Sequence, residues 1–378
     1  MLPDRHREVL RHLWAEGRLS RSELHRRTGM TPNGVGVIAE AMLDDGLLRE
    51  CSPEPSGGGR PRVPLEIDPG VRHVVGLSIA PGRVEAARLG LRGQVLGTAA
   101  SRAVAKPDQL VPAAVGLLKK MLNGQSLAIG ASVTGFVDPE GREILFSSAT
   151  PGLGAVSLKP LYQRAGAAPI VLGNDMHALA ARWQLTHRAQ EGRDVLLIGL
   201  DDGSLGAAIL IDGRPNRGCV TGGNELGHNR FPIDTARCYC GHSGCLERIF
   251  SSDFLIRNGA ARGTQLAERV ARLNDGRDEP LEKAMNHLAA GLANAVNFVR
   301  PNRLVLVSRL VRYPRFTNLL IRLTRSLLLT EIADRVGIDL WDQPAINTGE
   351  TAAWLALASL FYEGWTRTNG AASQLQKA

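Results

Sequence analysis

The segment Glu225-Leu226-Gly227-His228, followed by Cys238-Tyr239-Cys240-Gly241-His242-Ser243-Gly244-Cys245-Leu246-Glu247, restricts the fold of this chain more than any other. Three thiolates and one imidazole, Cys238, Cys240, Cys245 and His228, make a closed tetrahedral zinc site. Such a site keeps no vacant position for a catalytic water, so its expected role is to brace local structure. His242, inside the cysteine loop, is an alternative fourth ligand. Gly241 and Gly244 suit the tight turn that brings Cys240 and Cys245 onto one ion, because glycine enters positive φ at little steric cost. The residues braced are Glu225 and Glu247, which flank the ligand set in the chain, so folding around the metal can aim both carboxylates into one pocket.

A chain of 378 residues with 44% hydrophobic content can bury sizeable cores and is expected to divide into two or three domains. No run approaches the ~20 apolar residues of a membrane span, and the charged start Met1-Leu2-Pro3-Asp4-Arg5-His6-Arg7-Glu8 lacks the apolar stretch of a signal peptide. The expectation is a cytoplasmic protein without a membrane partner. Cys51 and Cys219 fall outside the metal motif, and a reducing compartment suits the set better than a disulfide framework. A net charge of +8 permits a polyanionic partner without identifying one. Through Asp68 the arginines are balanced by aspartates and glutamates, so global charge cannot locate DNA binding.

The order of helix signals near the N-terminus is more informative. Val9, Leu10, Leu13 and Trp14 recur at helical spacing before Gly17. Ser20 with Glu23 forms a capping box for a second helix, and Thr31-Pro32 reads as an N-cap and first-turn proline of a third. The strand Leu47-Leu48, the loop Ser56 to Arg62 and the apolar Val63, Leu65 and Ile67 complete a winged helix-turn-helix over residues 1–68. The third helix would enter the major groove, with Arg60 and Arg62 reaching phosphates or the minor groove. Gly34 and Gly36 offer that helix no side chain to a base and cost about 1 kcal/mol each against alanine. Arg21, Thr31 and Asn33 are therefore the expected polar contacts.

Beyond Asp68 the pattern becomes alternating strands and helices, repeated in two rounds. The reading is α/β throughout, with a first lobe over 69–176 that also takes a C-terminal helix from 355–378. A second lobe over 177–354 carries the zinc motif and oligomerisation helices. The strand Pro169-Ile170-Val171-Leu172 leads to Gly173-Asn174-Asp175, where a helix begins.

The two metal-linked motifs, together with Asn174-Asp175, resemble the ROK family of repressors and sugar kinases, over nearly the whole chain. The resemblance implies a two-lobed, actin-like (ribonuclease H-like) domain behind the winged helix. It also implies that Asn174, Asp175, Glu225, His228 and Glu247 surround a sugar. Ionised carboxylates only accept hydrogen bonds, which suits a ring of hydroxyl donors. In family kinases the residue matching Asp175 is the general base, but that role requires a triphosphate held in line with a metal. Here the phosphate loops depart from the kinase pattern. Asp-x-Gly-Gly-Thr is replaced by Ser78-Ile79-Ala80-Pro81-Gly82, the second glycine-rich turn reads Asp202-Gly203-Ser204-Leu205-Gly206, and Val307-Ser308-Arg309 stands where a third glycine cluster is expected. Asp175 is accordingly a vestigial base, and neither ATP nor catalysis is expected. The chain reads as a zinc-braced, sugar-sensing transcriptional regulator, a repressor of carbohydrate-utilisation genes. Its expected partners are a double-stranded DNA operator, a sugar or sugar phosphate, and further copies in a homodimer or homotetramer. Two rivals are an active ATP-dependent sugar kinase with an appended DNA-binding domain and a regulator governed by a protein partner.

Overall fold

The computed structural model describes residues 2–365, apart from 56–60, 101, 102, 105, 139, 148–155, 188–192, 219–221, 233, 234, 274–277 and 344–347. Arg60 and Cys219, and the part of the expected C-terminal helix beyond 365, lie outside the described residues. The chain divides into two compact units, one of residues 1–188 with 347–378 and one of residues 189–346.

The first unit opens with α1 (Asp4–Glu16), β1 (Leu19–Ser20), α2 (Arg21–Thr28), α3 (Pro32–Asp44), β2 (Leu48–Glu50) and β3 (Pro64–Ile67). The three strands pair in the order β1-β3-β2, giving the sheet of a winged helix. Local chemistry sets the helix starts. The Ser20 side chain accepts from the Glu23 N–H while the Glu23 carboxylate accepts from the Ser20 N–H, a complete capping box. Thr31 caps α3 through the Gly34 N–H at 3.1 Å, with Pro32 in its first turn. Each cap contributes about 1 kcal/mol.

After the winged helix come β4 (His73–Ala80), β5 (Arg83–Gly90), β6 (Val95–Ala100), α4 (Leu110–Met121) and β7 (Ser126–Val133). They are followed by β8 (Phe136–Val137), β9 (Glu143–Phe146), β10 (Val156–Ser157), α5 (Lys159–Ala165), β11 (Ile170–Asn174) and α6 (Asp175–Thr186). The main sheet has the order β11-β7-β4-β5-β6, with β11, β7 and β4 parallel; β8, β9 and β10 form a small separate sheet. α4 and α5 contribute to the hydrophobic core over one region of this sheet. A closing helix, Gly349–Phe361, also packs on it and against α6.

That helix is buried along almost its whole length and is rich in alanine. Its close approach depends on glycines in the strands. A Cβ at Gly76 would meet the Gly349 carbonyl oxygen and the Ala353 backbone, and one at Gly130 would meet the Ala352 carbonyl oxygen. Backbone cannot move aside as a flexible side chain can. Gly76→Ala is therefore expected to destabilise the first unit by about 3 kcal/mol, the upper range for overpacking, measured by chemical denaturation; an unchanged midpoint would contradict this packing.

The winged helix is tied to the same closing helix. Trp14 lies edge-on to Trp354 and Phe361, with ring centroids 6.3 and 5.1 Å away, and its indole N–H donates to the Leu185 carbonyl at 2.7 Å. Arg11 donates to the Phe361 carbonyl at 2.9 Å, and the Arg92 guanidinium stands 5.3 Å above the Trp14 ring. These contacts explain why the unit boundaries fall near 188 and 347, whereas the sequence suggested 176/177 and 354/355. α6 and the closing helix pack on each other within one unit.

The second unit contains β12 (Val195–Asp201), β13 (Ser204–Ile211), β14 (Arg214–Pro215), α7 (Leu246–Ile249), α8 (Ser252–Arg257) and α9 (Leu266–Ala271). It continues through α10 (Glu279–Val299), β15 (Arg303–Val307), α11 (Pro314–Ser326), α12 (Thr330–Ala333) and β16 (Gly337–Trp341). Its sheet has the order β14-β13-β12-β15-β16. The core unites sheet residues such as Leu196 and Ile198 with Leu246, Ile249 and Phe250 after the cysteine motif and with Met285, Leu288 and Leu292 of α10. The metal-motif segment is thus anchored directly in hydrophobic core. Among the described residues no helix is long and apolar enough to cross a membrane.

Candidate functional site

In the second unit the chain leaves β13 and β14 and makes a single 3-10 turn at Leu226–His228. Gly227 is required there by close approach: a Cβ would meet the Leu205 carbonyl oxygen and press on the Glu247 Cβ. The following segment is held by backbone bonds from Phe231 N–H to Gly244 O (2.7 Å), Cys238 N–H to His242 O (2.7 Å) and Leu246 N–H to Asn229 O (3.0 Å). Gly241 and Gly244 adopt φ of 91° and 79°, the left-handed turns anticipated from the sequence.

These turns gather one ligand atom each from His228, Cys238, Cys240 and Cys245 within 4.8 Å of one another. The Cys240 and Cys245 sulfurs are 3.6 Å apart, and Cys238 Sγ lies 3.7 Å from His228 Nδ1. A tetrahedral ion with metal–sulfur bonds of about 2.3 Å requires ligand–ligand edges of about 3.8 Å, so the donor set and its spacing fit a closed metal site. His242 Nδ1 lies 3.7 Å from Cys240 Sγ but belongs to an exposed residue outside the mutually close set.

The two nitrogens of His228 face different groups. Nδ1 is turned to Cys238, whereas Nε2 lies 3.5 Å from Glu225 Oε2. Glu247 Oε2 is 3.7 Å from Nδ1, so the imidazole stands between two carboxylates. Their environments differ: the Glu225 side chain is 42% exposed and that of Glu247 7%. Cys245 is the N-cap of α7 and Glu247 lies in its first turn, which ties the carboxylate to the last ligand. Glu247 Oε1 accepts from the Leu205 N–H of the β12–β13 hairpin at 3.3 Å, while Oε2 accepts from the Tyr239 hydroxyl. Burial, then the neighbouring Glu247, holds the Tyr239 phenol far above its ordinary pKa, so this hydroxyl is the donor.

Sequence reasoning did not single out Tyr239. The available signal was its place between two ligands, Cys238 and Cys240, which confines its backbone.

In the first unit Asn174 ends β11 and is the N-cap of α6, its side-chain oxygen accepting from the His177 N–H at 3.1 Å. Its amide NH2 is the group it can present to a ligand. Asp175 accepts from the Met176 N–H at 2.8 Å and from the Thr134 hydroxyl at 3.3 Å. Both residues therefore serve as helix-start chemistry in addition to any ligand role.

Several residues of the loops compared with kinase phosphate loops are engaged in protein contacts. Asp202 accepts from the Ser252 N–H at 2.7 Å and from its hydroxyl, and the Gly203 N–H donates to the Phe250 carbonyl at 3.1 Å. Ser308 is buried and caps the turn after β15 through the Leu310 N–H. Pro81 stands in the β4–β5 turn, where it supplies no N–H.

On the winged helix, Thr31 and Asn33 are exposed at the start of α3. Arg21 is already paired, donating to Glu40 at 2.6 Å and Glu50 at 3.0 Å. A phosphate would have to draw it from those carboxylates. Arg62 lies 3.9 Å from Glu23 and is half exposed. Val37, 63% exposed on α3, was not anticipated; its apolar surface suits contact with a thymine methyl.

Comparison with known proteins agrees with this architecture. The chain is 25% identical over 259 residues to the DNA-binding transcriptional repressor Mlc of Escherichia coli K12, an alignment spanning 66% of this chain and 63% of Mlc. It is 22% identical over 316 residues to the N-acetylglucosamine repressor of Escherichia coli O6:H1, spanning 78% and 77% of the two chains. The crystal structure of a ROK family transcriptional regulator, described as a homologue of Escherichia coli Mlc, superposes with a TM-score of 0.78 at 20% identity and covers 99% of both chains. That likeness gives the fold: a winged helix-turn-helix followed by the actin-like domain. Residues 74–346 match the model of the ROK family, and the chain belongs to that family.

Proposed function

We propose that this protein is a DNA-binding transcriptional repressor whose ROK domain senses a sugar and has no kinase activity. The observation that carries the reading is the His228 imidazole standing between Glu225 and Glu247 on a metal-ligand cluster, in a chain that begins with a winged helix. The cluster holds structural zinc through His228, Cys238, Cys240 and Cys245. Its donor set suits that ion, which would supply rigidity and no open coordination position. Glu225, His228 through Nε2, and Glu247 take sugar hydroxyls, and Asn174 and Asp175 are the further contacts expected from family membership. The repressor names of the Mlc and N-acetylglucosamine relatives support both the DNA and the sugar parts of the reading.

Absence of kinase activity is supported by the β12–β13 turn. By the resemblance of this turn to the kinases' second glycine-rich loop, Asp202 would set an anionic group beside nucleotide phosphates, and it is committed to Ser252. Lost positioning and lost charge neutralisation each cost orders of magnitude in rate. Thr31, Asn33 and Arg62, with Arg21 released from its ion pairs, and Arg60 make the DNA contacts. A pair of winged helices in a homodimer or homotetramer would read half-sites about one helical turn apart.

A thermal-shift panel of free and phosphorylated monosaccharides, run with and without ATP, tests this reading. A sugar bound only by the folded state raises Tm in proportion to RT ln(1 + [L]/Kd). At least one sugar is expected to do so without producing ADP. A flat panel would favour control by a protein partner, and sugar-dependent ADP release that disappears in Asp175→Asn would establish a kinase.

A further inference from the structure

We propose that Tyr239 is a gate on the effector site: its hydroxyl occupies the Glu247 carboxylate, and the sugar must displace it to bind there. The inference rests on the sugar-sensing reading above and adds the step by which the ligand gains access.

Glu247 has one oxygen turned to the Leu205 N–H and the other taken by the Tyr239 hydroxyl. A pair of adjacent sugar hydroxyls binds a carboxylate best by donating one hydrogen bond to each oxygen. With the carboxylate only 7% exposed, the phenol competes with the ligand for the oxygen not turned to the hairpin.

The surroundings of Tyr239 favour a side-chain movement over a loop movement. Its neighbours Cys238 and Cys240 are both in the metal-ligand set, and the Cys238 N–H is bonded to the His242 carbonyl at 2.7 Å. The backbone on either side is therefore pinned. The side chain is not: the residue is 45% exposed and its ring meets the His228 imidazole edge-on, with centroids 5.5 Å apart. Rotation about the side-chain bonds frees Glu247 while Cys238 and Cys240 stay in place, giving up only the ring's edge contact with His228.

The gate also selects for chemistry. A ligand with a single hydroxyl merely exchanges one O–H···carboxylate bond for another, whereas a vicinal diol brings two donors against the one it removes. The effector class is accordingly a polyhydroxylated sugar that presents adjacent hydroxyls to Glu247.

Calorimetric titration of the full-length, metal-loaded protein with D-glucose, N-acetyl-D-glucosamine, D-xylose and D-glucose 6-phosphate provides the test, comparing wild type with Tyr239→Phe. Phenylalanine keeps the ring and removes the competing donor, so the affinity for any sugar that binds is expected to rise about tenfold, the value of one hydrogen bond to a charged group. Zinc content should be unchanged, and Tyr239→Leu should move affinity in the same direction. A merely structural role would weaken binding in both variants. Equal or weaker sugar binding by Tyr239→Phe, with zinc retained and the wild type binding normally, would overturn the gate while leaving the sugar reading intact. Failure of all these sugars to bind wild type and both variants would overturn the two together. Binding by Tyr239→Phe alone would support the gate.

Discussion

Replacing Cys245 with serine is expected to abolish stoichiometric zinc binding and lower the melting temperature of the second unit by roughly 10 °C. Cys245 is fully buried, caps α7 and is followed by Leu246 and Ile249 in the core of that unit. Loss of the proposed ion would release the motif segment together with its attachment to that core. Metal binding to a site of this kind is folding free energy. A loss of about 3–5 kcal/mol, typical of removing a metal or a buried network, lowers Tm by about 2–4 °C per kcal/mol in a unit of this size. Metal analysis and calorimetry check both halves of the expectation. Chelation of the wild type should reproduce the shift, and added Zn2+ should reverse it. A chelated protein that melts unchanged would show that the four ligands do not brace the unit.

Glu247→Gln should have the opposite signature, leaving zinc in place while weakening sugar binding about a hundredfold. The exchange removes the charge and one of the two acceptor oxygens at the carboxylate, and hydrogen bonds to charged groups contribute about 1.5–3 kcal/mol each. It also turns an amide NH2 toward either the Leu205 N–H or the Tyr239 hydroxyl, since both currently donate to this group. Glu225→Gln should cost less, about tenfold, because its more exposed carboxylate is better compensated by water. Isothermal titration together with zinc analysis separates these outcomes from simple unfolding. Retained affinity in Glu247→Gln would remove this carboxylate from the ligand site.

The features most legible in the sequence were those carried by short spacings. Ser20 with Glu23, Thr31 with Pro32, and the ligand set from Cys238 to Cys245 each act within a few residues, so their geometry follows from local backbone preference. The strand β11 was visible as the apolar run Ile170-Val171-Leu172 for the same reason. The small β8-β9-β10 sheet has two strands of only two residues, too short for periodicity to identify. The unit boundaries depended on which core α6 and the closing helix enter. That is settled by Gly76, Gly130 and Trp14, residues distant from both helices in the chain. Glu225 and Glu247 could be nominated from motif spacing, but the hydrogen bond between Tyr239 and Glu247 emerges only once the metal loop has folded. The pairing of Arg21 with Glu40 and Glu50 was likewise hidden, since it joins three separate elements of the winged helix.

In the proposed repressor, a sugar held by the ROK domain changes DNA binding by the winged helix. Only a difference in the sugar's affinity between DNA-competent and DNA-incompetent states can produce that change. The most direct measurement is an electrophoretic shift titration with DNA from upstream of the protein's own gene and with a scrambled duplex. It should be carried out at several salt concentrations, with and without the sugar that raises Tm. Binding is expected to be sequence-selective, to weaken steeply with salt and to shift at least fivefold when the sugar is added. Equal affinity for both duplexes, or selective binding indifferent to a sugar that demonstrably binds the protein, would contradict this expectation.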